Sequence, residues 1–234
     1  MNDASLVLVH GAWADGSSWA KVIAPLADAG NRVVAAPLPL TSFADDVAAL
    51  DHALERVSGP VVLVGHAYAG AVIGATRDHR VRALVYVAAL APDEGETVAD
   101  VFHRAAPHPR APKLAPDSHG FIYLPDSAFT TAFAPNASAE QQALLAAVQR
   151  PISPACITVR MERPLWKDRP SWFLIAEQDR MIAHETQRFM AGRMNATVRS
   201  HSVDHTPIMT APPVVVSIIR EALGAVAAPA ERLP

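Results

Sequence analysis

The chain is poor in cysteine, in charge and in long apolar runs, and each shortage removes a class of protein. Cys156 is the single cysteine among 234 residues, so no intramolecular disulfide can form and a reducing cytoplasm is the expected compartment. Charged residues make up 18% of the chain and the net charge is -3. Lys and Arg never gather into a basic stripe, which argues against nucleic acid as a partner. No segment approaches the roughly 18 uninterrupted apolar residues of a membrane span, and the first residues lack the basic start and apolar core of a signal peptide. No membrane partner is expected. Half of the residues are hydrophobic, enough for one large buried core, and the length suits a single domain over residues 1–234.

Short β-branched runs alternate with Ala-rich helical patterns. Strands are expected at Ser5–Val9, Arg32–Ala36, Pro60–Val64, Val81–Val87, Ser171–Ala176 and Ala196–His201. Helices are expected at Ser17–Ala29, Phe43–Val57 (capped by Ser42), Tyr68–Arg77, Ser138–Gln149, His184–Gly192 and Pro213–Leu223. Runs such as Leu6-Val7-Leu8-Val9 and Val61-Val62-Leu63-Val64 are apolar at every position. That pattern belongs to parallel strands covered on both faces, so the fold class is α/β. The rhythm breaks between about 92 and 169, where many of the 20 prolines fall among Phe102, Phe121, Tyr123, Phe129, Phe133 and Trp166. This segment reads as a lid lying over the carboxyl ends of the strands, the edge at which open α/β sheets bind ligands. The core then comprises about 1–91 and 170–224, and the tail from Ala225 onward is expected to be loose.

The third strand runs into Gly65-His66-Ala67-Tyr68-Ala69-Gly70. Small residues flank a central position in a sharp strand-to-helix turn, the layout of the G-x-S-x-G nucleophile elbow. His10-Gly11-Ala12-Trp13 follows the first strand and can offer the Ala12 N–H to an oxyanion, with the Tyr68 N–H as second donor. Asp179 follows the Ser171–Ala176 strand, and His205 lies in the loop after the Ala196–His201 strand. Elbow, then acid, then histidine is the chain order the motif requires.

On these motifs the chain resembles the α/β-hydrolases. It is most similar to the compact branch of plant hydroxynitrile lyases, plant methyl-ester esterases and small bacterial esterases. The resemblance rests on HGAW, VLVGHxYxG, LVYVAALAPDEGE, LWKDRPSWFLIAEQDRMI and VDHTP, and spans nearly the whole chain. It implies an α/β-hydrolase fold with a mostly parallel sheet and a small helical lid. It also implies His205 as general base and Asp179 as the group that orients it, with Asp204 in reserve. Trp13, His66 and Trp166 are the candidate lining of a pocket for a small carbonyl or ester compound.

The nucleophile position, however, holds Ala67, and a methyl group cannot attack an acyl carbon. Ala69, in place of the second glycine, is a further departure. Three readings stay open. The chain is an enzyme with a His-Asp dyad and a backbone oxyanion hole but no elbow serine; or a carboxylesterase inactivated by a Ser-to-Ala exchange; or a non-catalytic small-molecule binder of the same fold. Two departures in one elbow favour natural absence of the serine. No cofactor is expected: Ala71-Val72 stand where a P-loop needs Lys-Ser/Thr, and no G-x-G-x-x-G follows the first strand. No metal is expected either. His184-Glu185 opens an HExx pattern that ends in Arg188, and His201 and His205 do not share a helix face. A homodimer through the lid is left open.

Overall fold

The computed structural model describes residues 4–227. Six strands form one parallel sheet in the order β2-β1-β3-β4-β5-β6: β1 Ser5–Val9, β2 Val33–Ala36, β3 Val61–His66, β4 Val81–Val87, β5 Ser171–Ala176 and β6 Thr197–His201. The α/β class and the hydrolase-type sheet expected from the sequence are both present. The helices are α1 Ala20–Ala27, α2 Phe43–Leu54, α3 Ala69–Ala75, α4 Val98–Phe102, α5 Asp126–Ala128, α6 Ala139–Val148, α7 His184–Arg193, α8 Pro207–Thr210 and α9 Pro212–Ala227.

Alternate residues of each strand feed two apolar layers, because successive side chains leave a strand on opposite faces. Val7, Val9, Leu63, Leu84, Tyr86, Phe173 and Ile175 join one layer with α2, α3 and α7. Leu6, Leu8, Val62, Val64, Val85, Trp172 and Leu174 join the other. There α9 buries Val215, Val216, Ile218, Ile219, Ala222 and Leu223, a spacing that keeps one helical stripe against the sheet. The central strands are wholly buried, whereas the edge strand β6 reads Thr-Val-Arg-Ser-His and is largely exposed. Charge and short length at an edge discourage pairing with a further strand.

Several boundaries differ from the sequence expectation for local reasons. The Ser17–Ala29 helix is instead a 3₁₀ turn over Gly16–Trp19 followed by α1; Asp15 caps the turn by accepting from the Ser17 N–H. β3 extends two residues past Val64, since Gly65 and His66 still pair with Tyr86 and Val87. The α2 helix stops at Leu54, and α9 runs through Ala227, so the start of the expected loose tail is helical. The rest of that tail, 228–234, lies outside the described residues.

Segment 92–169 adds no strand to the sheet. Its α6 helix has a reciprocal cap, Ser138 with Gln141, at the expected start. Its apolar residues, among them Ile122, Phe129, Phe133, Leu145 and Cys156, continue the α2/α3/α7 layer. No helix among the described residues is long and apolar enough to cross a membrane.

Candidate active site

The turn after β3 is built by close packing. Ala67 takes a left-handed φ of 50°, unusual for a residue with a Cβ. Three hydrogen bonds hold it there: Ala67 N–H to the Val87 carbonyl at 3.2 Å, and Gly70 N–H and Leu90 N–H to the Ala67 carbonyl at 3.2 and 2.9 Å. A Cβ on Gly65 would lie 2.9 Å from the Ala69 carbonyl oxygen, so only glycine fits the turn's first position. A Cβ on Gly11 would lie 2.9 Å from the Ala67 Cβ. The loop after β1 therefore rests directly on the elbow. The helix beyond begins at Ala69, with Tyr68 as its first flanking residue. Among the described residues, neither the Ala12 nor the Tyr68 N–H donates to an acceptor.

His205 and Asp179 meet. The His205 Nδ1 and Asp179 Oδ2 are 2.8 Å apart, with both side chains buried. Asp179 is itself held: Oδ1 accepts from the Met181 and Ile182 N–H groups at 2.7 and 2.9 Å, and Oδ2 accepts from Gln187 Nε2 at 2.9 Å. Gln187, on α7, also ties back to β5 by accepting from the Ala176 N–H. With Nδ1–H given to the carboxylate, the lone pair of the neutral His205 ring sits on Nε2. No described residue hydrogen-bonds to that nitrogen. Asp204, the reserve acid, serves another purpose: Oδ1 accepts from Thr206 N–H and Thr210 Oγ1, and Oδ2 accepts from Asn136 N–H at 3.0 Å. It joins the histidine loop to segment 92–169.

His66, expected at the pocket wall, has no exposed surface. Its Nε2 lies 2.7 Å from the His205 carbonyl oxygen, while Nδ1 is buried without a partner. Burial, with His205 nearby, lowers its pKa to about 3, so the ring is neutral and Nε2–H donates to the carbonyl. His10 likewise supports a loop. Its Nδ1–H donates to the Gly11 carbonyl and its Nε2 accepts from Leu38 N–H. Burial lowers its pKa to about 4.

The two tryptophans part company. Trp13 has φ 59°, donates Nε1–H to the Ile122 carbonyl at 2.9 Å, and meets Phe133 edge-on with ring centres 6.3 Å apart. Phe133 in turn lies 5.4 Å from the His205 ring. Trp166 points elsewhere. Its Nε1–H donates to the Pro92 carbonyl, and its ring faces the Lys167 and Arg193 cations. Those contacts account for its burial.

Phe133 is the neighbour that sequence reading left among lid core residues. A π-helical turn over Phe129–Phe133 presents it, a geometry often found at functional sites. No sequence signal distinguished it from the other lid aromatics. The site as a whole is closed: Ala67 is 6% exposed and His205 2%. Segment 92–169 is pinned over it by the Asp204–Asn136 bond and by Arg180 Nη1 donating to the Thr131 carbonyl at 2.7 Å.

Residues 6–218 match the alpha/beta hydrolase family, and the chain belongs to it. It is 32% identical over 121 residues to a carbendazim hydrolyzing esterase from Nocardioides sp. (strain SG-4G). That match takes in 44% of this chain and 49% of the relative, so the chain spans about half the length of the curated protein it matches. Among solved structures, polyneuridine aldehyde esterase superposes with a TM-score of 0.80 at 18% identity, over 96% of this chain and 99% of that one. A pyrethroid hydrolase from Sphingobium faniae JZ-2 gives 0.79 at 19% identity, over 95% and 98%. A tomato methylketone synthase I variant complexed with beta-ketoheptanoate gives 0.79 at 18% identity, again over 95% and 98%. At such identities the likeness establishes the fold.

Proposed function

We propose that this protein is an enzyme that acts on a small carbonyl or ester compound by proton transfer, without an acyl-enzyme. His205 is the general base or acid, Asp179 orients it, and the N–H groups of Ala12 and Tyr68 stabilise the developing oxyanion. The observation that carries the reading is the buried 2.8 Å contact between His205 Nδ1 and Asp179 Oδ2, which leaves Nε2 as the reactive nitrogen.

The chemistry follows from what the site retains. Nε2 takes a proton from a carbon next to a carbonyl, or from a water attacking an ester. The electron pair moves onto the carbonyl oxygen, where two N–H dipoles meet it, and the proton is returned as the product forms. A β-keto acid suits the same kit. Loss of carbon dioxide leaves an enolate for the two N–H groups to hold, and protonation at carbon completes the reaction. The complex of the tomato neighbour with beta-ketoheptanoate makes that class the first probe. The esterase names of other relatives make short aryl esters the second.

One observation favours a second reading, an esterase whose serine has been exchanged. Ala67 keeps the left-handed backbone that serves to project a nucleophile, a conformation an alanine has no chemical use for. The test is turnover of β-keto acids and aryl esters by the protein and by His205→Ala. A fall in kcat/KM of about 100-fold or more supports base catalysis. Equal turnover by both overturns it, and saturable binding with no turnover by either points to a binder of the same fold.

A further inference from the structure

A buried polar cluster adjoins the elbow. Asp46, on α2, has no exposed surface and no cationic partner among the described residues. Its Oδ2 accepts the Tyr68 hydroxyl at 2.7 Å, and its Oδ1 accepts the Leu40 N–H at 2.7 Å. The 3₁₀ turn Pro154–Cys156 of segment 92–169 packs on α2, and its buried Cys156 lies in the same apolar layer as Tyr68. Leu40 is left-handed, with φ 61°, and its carbonyl accepts the Ser153 N–H at 2.9 Å. The loop after β2 and the elbow thus converge on one carboxyl group, and the Leu40–Ser153 bond ties the lid segment to them.

An uncompensated carboxyl group inside an apolar layer is costly, and three apolar side chains of similar size would fill the same space. What the cluster provides is direction. A hydrophobic contact tolerates sliding, whereas hydrogen bonds at the far end of a rigid ring fix where its backbone sits. The backbone so fixed is the Tyr68 peptide.

We propose that Asp46 is a positioning residue: by holding the Tyr68 hydroxyl it aims the Tyr68 N–H into the site and links that aim to the lid segment. The inference rests on the reading of Tyr68 N–H as an oxyanion donor. Burial raises the pKa of the Asp46 carboxyl above its usual range and pushes the Cys156 thiol up to about 12.

The test uses Tyr68→Phe, which removes only the hydroxyl, and Asp46→Ala, which removes both acceptor oxygens. Each is made alone and in combination. Amide hydrogen exchange is followed at residues 65–70 and, as a control, along β1. Exchange at the elbow is expected to quicken about tenfold while β1 is unchanged. In an Ala67→Ser background, ester hydrolysis is expected to lose about tenfold in kcat with KM within about twofold and the shape of the pH profile unmoved. The double variant should be no worse than Asp46→Ala alone, since both break one tether. Equal quickening in elbow and β1, unchanged kcat despite a loosened elbow, or additive losses would overturn the proposal. Absence of ester turnover by the Ala67→Ser parent itself would count against the oxyanion reading and not the tether, which the exchange arm decides alone.

Discussion

The elbow and the histidine arm have had different fates. At the elbow the reactive side chain is missing, yet the backbone that would present it is intact, down to the left-handed φ of Ala67 and the bonds on its carbonyl. At the histidine arm both side chains are present and doubly anchored, His205 through His66 at its carbonyl and Asp179 through Gln187. The contrast teaches that the turn does not depend on its nucleophile. Packing against Gly11, Gly65 and Leu90 holds the backbone whatever side chain projects from it, so an elbow with alanine at its centre keeps its turn. The dyad has no such independence. A buried His-Asp pair persists only if each member keeps its partners.

The sharpest way to exploit this difference is to restore what the elbow lacks. On the proposed roles of His205, Asp179 and the two N–H groups, Ala67→Ser should raise aryl-ester hydrolysis by about 1,000-fold or more and produce an acyl burst. Rapid-mixing kinetics measures it, and no gain would mean that the two arms are out of register.

Next in size is a comparison of two acids in the same arm. Asp179→Asn should lower turnover by about 100-fold or more, since the amide can turn its NH₂ toward Nδ1 and favour the wrong tautomer. Asp204→Asn should leave turnover within about threefold and instead lower stability by about 1–2 kcal/mol, through its weakened hold on Asn136 and Thr210. Denaturation midpoints and steady-state rates on both variants separate the two roles.

The last expected effect, on stability and not on turnover, concerns the neutral histidines beneath the site. Folding lowers the pKa values of His66 and His10 from 6.5 to about 3 and about 4. The unfolded chain therefore takes up protons below pH 6.5 that the folded one refuses. Stability from this pair is fully present above that pH and declines as the pH falls toward 4, by at most about 2–3 kcal/mol per unit. Urea midpoints between pH 7 and 4.5 measure the decline. His66→Gln, which keeps a donor for the His205 carbonyl, should flatten it by roughly half.

Much of this was legible in the chain. The apolar strands, the alternation of strand and helix, and the small residues around position 67 are local signals, and the structure follows them to within a few residues. The order of elbow, acid and histidine pointed to His205 and Asp179, which the fold brings to 2.8 Å. What the sequence left open concerns direction and partners. His66 and Trp166 stand next to or near motif residues in sequence, but a peptide's neighbours do not say which way a side chain turns. One turns inward to the His205 carbonyl and the other toward Pro92 and Arg193. Asp46 and Cys156 gave no signal, because an aspartate on an amphipathic helix and a lone cysteine are ordinary in isolation.

By itself, then, the sequence determined the α/β architecture, the position of the turn and the absence of a nucleophile in it. Those properties reside in short runs of side-chain type and spacing, which act on the backbone next to them. Only the tertiary structure decided that Asp179 and not Asp204 meets His205, that Phe133 covers the imidazole, and that a buried aspartate grips Tyr68. Each of these joins residues more than 20 positions apart, and which of several chemically suitable partners meet is set by how the layers pack.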